Sequence, residues 1–221
     1  MKLLALDTAM AACSVAVLDR GEELAASWVA MERCHAEALP PMVEQAMAQA
    51  GLAFANLQRV VVTVGPGTFT GLRIGLSLAR GFGLALDIPV IGIDSLRAIA
   101  ANAAGCGTPL LVAADARRGE AYAALYDANG AVLYPPAILG IADAVKLLPS
   151  GPVTVIGTVA EAVIAASGRT DPMRSAAGDL PDARRFGFAA SLPDPGHMPE
   201  PLYLRAPDAK PQAIPPGARW H

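Results

Sequence analysis

The strongest indication of the fold is the run Gly65-Pro66-Gly67-Thr68-Phe69-Thr70-Gly71-Leu72-Arg73-Ile74-Gly75. It follows the β-forming residues Val60–Val64 and leads into an apolar segment that predicts a helix ending near Leu86. A glycine-rich turn between a strand and a helix lets the backbone approach a phosphate closely, and the helix N-terminus favours negative charge. The run lacks the Gly-Lys-Ser/Thr ending of a P-loop. Phosphate binding and a purely structural tight turn are therefore both open.

The first half of the chain alternates strand and helix patterns. Strands are predicted over Leu3–Asp7, Cys13–Asp19, Glu22–Ala30, Val60–Val64 and Pro89–Ile93. One helix is predicted from the apolar stripe of Leu39, Met42, Val43, Ala46, Met47 and Ala50, with Pro40 and Pro41 in its first turn. Two more are predicted over Leu72–Leu86 and Ser95–Ala104, the last with Asp94 as its N-cap. The order βββαβαβα is typical of a ribonuclease-H-like unit.

The same order begins again in the second half. Strands are predicted over Leu110–Asp115, Ala121–Asp127, Ala131–Leu133 and Val153–Ile156, and short helices over Ile141–Leu148 and Val159–Ser167. A repeat of about a hundred residues predicts two copies of one unit. We therefore expect an α/β protein with a first unit over residues 1–105, a reduced second unit over 106–194 and a proline-rich tail over 195–221. The tail is expected to be extended or disordered, apart from Leu202–Arg205.

The charge, the cysteines and the lengths of the apolar runs limit the classes of function that we expect. The chain has 221 residues and a net charge of -3, from 17 basic and 20 acidic residues. This balance does not favour a nucleic-acid surface. Three cysteines without a CxxC pattern fit a reducing compartment rather than a disulfide framework. With no signal-peptide pattern and no apolar run long enough to span a membrane, a soluble cytoplasmic protein is expected.

Two such units, each with an aspartate at the end of its first strand, resemble the fold of actin, Hsp70 and the sugar kinases (the ASKHA superfamily). Four segments in order are similar to those of the bacterial TsaB family: Leu6-Asp7-Thr8 with Cys13–Val17, the Gly65–Gly75 run, Asp115–Tyr122, and Pro201–Arg205. The resemblance covers residues 1–127 and 201–205 and is weak over 135–195.

The resemblance implies a role in forming N6-threonylcarbamoyladenosine at position 37 of tRNAs that read codons beginning with A. TsaB-like proteins pair there with a paralogue, TsaD, that carries the catalytic metal, and TsaE supplies an ATPase. The expected partners are thus a TsaD-like subunit and a TsaE-like ATPase, with tRNA bound only through the complex. The alternatives are a small-molecule kinase of the same fold and a metallopeptidase-like protein.

Two positions bear on whether this chain is itself a catalyst. The resemblance implies that the paralogue carries two metal-binding histidines at i and i+4 on the helix after the fifth strand. Here those positions hold Ser95 and Ile99. Isoleucine cannot ligate a metal. We therefore expect no metal site, no catalytic residue and no activity of the chain alone.

A second set of residues could bind a phosphate or nucleotide. It comprises Asp7, Thr8, Gly65, Pro66, Gly67 and Asp115. The alternative is turn and cap chemistry inherited from a kinase-like ancestor. We expect no cofactor in the isolated chain, and ATP or ADP as a possible ligand of the complex.

A third set is expected to form the partner interface. Gly71, Gly75, Ala79 and Gly83 recur every four residues and would let another backbone pack closely. In the resembled family the first two helices form a bundle with those of a partner. The expected interface is Leu39, Met42, Val43, Met47, Gly71, Arg73, Gly75, Ala79 and Phe82, with the small-residue ridge facing outward and a homodimer possible when the partner is absent. The alternative is simple burial of the ridge under the second unit.

Overall fold

The computed structural model of the protein describes residues 1–205, which form two five-stranded mixed sheets. The first sheet holds β1 (Lys2–Asp7), β2 (Ala12–Asp19), β3 (Glu22–Ala30), β4 (Arg59–Gly65) and β5 (Val90–Asp94), in the order β3-β2-β1-β4-β5. Its helices are α1 (His35–Gln49), α2 (Phe69–Leu86) and α3 (Ser95–Ala100), with 3-10 turns at Phe54–Asn56 and Ala101–Ala103.

The second sheet holds β6 (Leu110–Asp115), β7 (Glu120–Tyr126), β8 (Val132–Gly140), β9 (Val153–Ile156) and β10 (Pro172–Arg174). Its order, β10-β9-β6-β7-β8, repeats that of the first sheet. The helices α4 (Ile141–Val145) and α5 (Ala160–Ser167) are much shorter than α1 and α2. The predicted repeat with a reduced second copy is confirmed.

The central strand β1 is buried on both faces, which explains its continuous apolar run. Leu4 and Leu6 pack with the residues of α1 and α2 on one face, whereas Leu3 and Ala5 lie in a separate cluster on the other. It pairs antiparallel with β2 and parallel with β4. Full burial of one leucine side chain contributes about 1.5–3 kcal/mol to folding.

Several elements differ from the sequence prediction. Helix α1 begins at His35, whose buried ring contacts the Met10 carbonyl at 3.1 Å, so Pro40 and Pro41 lie in its second turn. Strand β8 extends to Gly140 through Pro135 and Pro136, which an edge strand tolerates because its outer N–H groups need no partner. Strand β10 is too short to leave a sequence pattern.

The chain after β10 returns to the first unit, so the predicted boundary at residue 194 is wrong. Ala183, Phe186 and Ala189 pack against Leu3, Ala5, Val61 and Ile91 on the face of the first sheet opposite α1 and α2. The segment that carries them ends in a 3-10 turn at Gly187–Ser191. The first unit therefore has three layers: α1 and α2, the sheet, and this segment. The alternating strand and helix pattern of the sequence did not predict the third layer.

Residues 198–205, which we call the strap, run across the first unit and reach the second. The Leu202 amide donates to the Val64 carbonyl at 2.7 Å, and the Arg80 guanidinium donates to the Pro199 carbonyl. Arg205 donates to the Ala116 carbonyl at 3.1 Å and pairs with Glu120. The predicted tail thus includes a packed segment, and its residues from 206 onward lie outside the described part. Within residues 1–205, no helix has the length and apolar character to cross a membrane.

Candidate functional site

The glycine-rich turn between β4 and α2 packs on the chain's own backbone. A Cβ atom at Gly67 would lie 2.3 Å from the Ala9 carbonyl oxygen, and the Thr68 amide donates to that oxygen at 2.8 Å. Thr68 also caps α2, since its hydroxyl accepts from the Gly71 amide at 3.1 Å. Pro66 is buried behind a cis peptide bond. These contacts explain why this turn contains glycines, with no ligand involved.

Asp7 and Thr8 use their side chains inside the fold. Asp7 is fully buried, and its Oδ1 accepts from the Thr63 hydroxyl at 2.6 Å and from the Ala9 amide at 3.1 Å. The Thr8 hydroxyl donates to the Gly71 carbonyl at 2.7 Å. Burial raises the pKa of Asp7 to about 7, although its two hydrogen bonds oppose the rise. Asp7 Oδ2 has no described partner.

Asp115 occupies the matching position at the end of β6 but is exposed. Its Oδ1 accepts from the Arg117 amide at 2.8 Å, which stabilises the β6–β7 turn. Between the two units lies an apolar cluster that includes Met10, Leu72, Leu96, Leu110, Val112 and Ile156. Of the six predicted nucleotide residues, Asp7 and Thr8 are therefore buried and Asp115 is exposed.

The two positions that replace histidines are in the core. Ser95 and Ile99 are both fully buried in α3, and Ile99 belongs to the cluster between the units. Among residues 1–205, no group of three His, Cys, Asp or Glu side chains is arranged to hold a metal ion.

The expectation that the small-residue ridge faces outward is wrong. A Cβ atom at Gly71 would lie 2.1 Å from the Thr8 carbonyl oxygen, one at Gly75 would lie 2.7 Å from the Thr8 hydroxyl, and one at Gly83 would lie 2.4 Å from Val90. Ala79 is fully buried on the same side. The ridge lets α2 lie close against β1, β4 and β5, because these glycines leave room for the sheet. Leu39, Met42, Val43 and Met47 are likewise buried in the first core cluster.

The outward face of α1 and α2 carries a different set of residues. Here the Phe69 and Tyr203 rings stack at 5.4 Å, and the Arg73 guanidinium lies 3.7 Å above the Phe69 ring. The Arg73 Nε also donates to the Tyr203 hydroxyl at 3.3 Å. Phe69 is 48% exposed. We call these three residues the aromatic stack.

Beside the aromatic stack runs an open groove of about 680 Å³ between α1 and α2. Its walls are Ala36, Leu39, Pro40, Phe69, Thr70, Arg73, Ile74, Ser77 and Leu78. Farther along α2, Phe82 stacks on Phe54 at 5.3 Å, and Leu84 is 75% exposed. Of the predicted interface residues only Arg73 and Phe82 reach the surface clearly. Tyr203 lies in the segment Pro201–Arg205 that resembles the TsaB family, but no sequence pattern predicts its contact with Phe69.

Comparison with known proteins places the chain in a family. The family model described as TsaD, tRNA N6-adenosine threonylcarbamoyltransferase, matches residues 29–184. An uncharacterised protein of Mycobacterium tuberculosis is 39% identical over 218 residues, which cover 96% of this chain and 95% of that protein. The tRNA threonylcarbamoyladenosine biosynthesis protein TsaB of Escherichia coli is 38% identical over 134 residues, which cover 59% of this chain and 58% of that protein.

Solved structures agree with this placement. YeaZ from Pseudomonas aeruginosa superposes with a TM-score of 0.78 at 27% identity, covering 92% of this chain and 99% of that one. A hexokinase from Thermus thermophilus, with a TM-score of 0.50 at 17% identity over 86% of this chain and 98% of that one, shares the fold alone. The predicted ASKHA-type fold is confirmed. The motifs, the duplicated sheet order and these matches together identify the chain as a member of the TsaB family, within the wider family that the TsaD model describes.

Proposed function

We propose that this protein is the non-catalytic subunit that binds and activates a TsaD-like catalytic subunit in the cytoplasm. The reaction is formation of N6-threonylcarbamoyladenosine at position 37 of tRNAs that read codons beginning with A, with a TsaE-like ATPase as the third component. TsaB-named relatives support a role in this biosynthesis. Any ATP or ADP would be a ligand of the assembled complex.

The observation that carries the proposal is the exposed apolar surface of α1 and α2. Phe69, Ile74 and Leu78 line one groove beside α2, with Phe69 48% exposed and Ile74 and Leu78 partly buried. Contiguous exposed apolar surface on a globular protein commonly marks an interaction site. Binding hot spots are enriched in Trp, Tyr and Arg, and the aromatic stack contains Tyr203 and Arg73. A homodimer through this same face is expected when the partner is absent.

The residues that replace the histidines support a non-catalytic role. Ile99 has no lone pair for a metal, and Ser95 is buried beside it in the same helix. Neither side chain could reach a substrate, because both are fully buried. Catalysis is therefore assigned to the partner subunit.

Binding to the TsaD-like subunit of the same organism tests the proposal, by calorimetry on purified proteins. Phe69→Ala removes the central ring of the aromatic stack and should weaken binding at least about tenfold, the loss typical of an aromatic hot spot. Phe188→Ala is the matched control. Phe188 is 43% exposed, but it lies in the 3-10 turn Gly187–Ser191, on the face of the first sheet opposite α1 and α2. Failure of the wild-type chain to bind, or equal binding by the Phe69 variant, would refute the proposal.

A further inference from the structure

Three of the four segments that resemble the TsaB family meet at one place in the structure. The turn before α2 begins the Gly65–Gly75 run, the β6–β7 turn lies in Asp115–Tyr122, and the strap contains Pro201–Arg205. The strap packs on the first of these turns, and its last residue contacts the second. The surface proposed for the partner uses α1, α2 and the strap, and the β6–β7 turn has no part in it.

The strap lies in a seat that two glycines leave open on the first unit. A Cβ atom at Gly65 would lie 2.5 Å from the Leu202 carbonyl oxygen, and one at Gly92 would lie 2.9 Å from the Pro199 side chain. The Leu202 amide also donates to the Val64 carbonyl at 2.7 Å. Backbone contacts with the first unit therefore hold the strap as far as Leu202, one residue before the aromatic stack.

The next residue, Tyr203, is held on the first unit by its side chain. Its ring stacks on Phe69 at 5.4 Å, and its hydroxyl accepts from the Arg73 Nε at 3.3 Å. The two rings are 39% and 48% exposed. Stacking of this kind stabilises about as much as it costs to fix the backbone of one residue, so these contacts alone would keep the ring stacked for roughly half of the time.

The second unit supplies another fixed point two residues later. The Arg205 guanidinium donates to the Ala116 carbonyl at 3.1 Å and pairs with the Glu120 carboxylate. Both acceptors stand on a turn that is itself held, because the Ala116 amide donates to the Glu120 carbonyl and the Glu120 amide to the Arg117 carbonyl. A planar guanidinium bound at two points has little freedom. The ring of the strap therefore lies between fixed points on the two units.

We propose that Arg205 and Glu120 are positioning residues through which the second unit holds the aromatic stack in place. Neither side chain belongs to the stack or lines the groove beside it. When either is removed, the strap loses its described ion pair with the second unit and Tyr203 can leave Phe69. The effect on partner binding rests on the proposed function, whereas the positioning is a property of the isolated chain.

Proton NMR of the isolated full chain measures the stacking directly, because the Phe69 ring shifts the ring protons of a stacked Tyr203 upfield. Phe69→Ala defines the shift without stacking. In Glu120→Ala and Arg205→Ala the upfield shift should shrink by roughly half. Arg205→Lys keeps the charge but not the two-point contact, so its shift should lie between those of wild type and Arg205→Ala.

Calorimetry with the TsaD-like subunit gives a second, quantitative readout. If the partner binds only the stacked form, the dissociation constant rises by the reciprocal of the stacked fraction, which is about twofold for Glu120→Ala and Arg205→Ala. The factor should match the stacked fraction measured by NMR in each variant. A general loss of stability would not produce this match, because it would not depend on the position of one ring.

Asp171→Ala is the matched control for loss of an ion pair in the second unit. The Arg169 and Asp171 side chains are 28% and 39% exposed, against 26% and 40% for Arg205 and Glu120. Arg169 donates to the Pro149 and Gly151 carbonyls rather than to the strap. The NMR shift and the partner affinity of Asp171→Ala should therefore both equal those of wild type.

Three results would overturn the inference. The first is no upfield shift of Tyr203 in the wild type relative to Phe69→Ala. The second is a full upfield shift in both Glu120→Ala and Arg205→Ala, since the first unit alone would then hold the ring. The third is an equal loss in Asp171→Ala. A halved shift in a chain whose wild type does not bind the TsaD-like subunit would support the positioning and refute the proposed function.

Discussion

At the scale of single residues, the aspartate that ends β1 serves the fold rather than an open cleft. Asp7 is fully buried beside Thr63 and Ala9, and its second carboxyl oxygen has no described partner. Desolvation is the largest cause that raises its pKa, to about 7. A carboxyl with such a pKa binds its proton more tightly in the folded than in the unfolded protein. Folding stability should therefore depend on pH through this residue.

The pH dependence can be predicted with its sign. The unfolded pKa is 3.8 and the folded pKa is about 7, so Asp7 favours folding at low pH and this contribution is lost as pH rises from about 4 to 7. Between pH 5 and 7 the loss is about 2–3 kcal/mol. Asp7→Asn has no proton to lose, so the stability of the wild type relative to this variant should fall by that amount between pH 5 and 8.

Urea unfolding at pH 5, 6, 7 and 8 measures this difference. Asp115→Asn, at the equivalent but exposed position on β6, is the matched control for removal of a carboxyl elsewhere in the chain. If the Asp7 difference is constant from pH 5 to pH 8, the carboxyl does not titrate in this range in the folded protein, and its pKa is not about 7.

At the scale of elements, helix α2 shows what a sequence pattern can and cannot decide. Its length and apolar character predict a buried helix, and the helix is there. The direction of its glycine ridge could not be predicted, because α2 is apolar nearly all round and glycine has no side chain to mark an inward face. Only the close approach of Thr8 and Val90 shows that the ridge faces the sheet.

Two glycines of α2 give a paired prediction for stability. Gly71→Ala would place a Cβ atom 2.1 Å from the Thr8 carbonyl oxygen and should lower the free energy of unfolding by about 1–3 kcal/mol. Gly81 is exposed, and a Cβ atom there would have no neighbour within 4 Å, so Gly81→Ala should raise it by up to about 1 kcal/mol through helix propensity. Thermal and urea unfolding report both. A stable Gly71→Ala protein would mean that α2 does not lie this close to the sheet.

Elements that follow from a local sequence pattern could be predicted, whereas segments held by contacts with distant residues could not. Apart from β10, the strands of both sheets follow from apolar runs bounded by turns. Asp94 caps α3 as expected, accepting from the Arg97 amide at 2.8 Å. The segment 183–189 and the strap show no periodic pattern of apolar residues, because each is held by contacts with residues far away in the chain. Most of the interface residues predicted on α1 and α2 therefore lie on the buried faces of these helices.

At the scale of the whole molecule, the strap joins the aromatic stack to both units. Tyr203 supports Phe69 and Arg73 on the first unit, while Arg205, two residues later, binds Ala116 and Glu120 on the second. The aromatic stack is thus held in place by contacts within the chain itself. Such preorganisation lowers the entropy cost of association.

Tyr203 gives a prediction at this scale. Tyr203→Ala removes the ring beneath Phe69 and should weaken binding to the TsaD-like subunit about tenfold with only a small change in melting temperature, since Tyr203 is exposed. Tyr203→Phe keeps the ring and loses only the Arg73 hydrogen bond, so its effect should be smaller. Calorimetry with the partner measures both, and wild-type affinity of Tyr203→Ala would show that the stack is not part of the interface.

The most direct measurement of the central claim is threonylcarbamoyl transfer to tRNA by the TsaD-like subunit with and without this chain, in the presence of the TsaE-like ATPase. We expect that transfer requires the chain, that Phe69→Ala reduces the rate at limiting concentration and recovers toward wild type at high concentration, and that the chain alone is inactive. Transfer at full rate without the chain, or an equal rate with wild type and Phe69→Ala at every concentration, would contradict the claim.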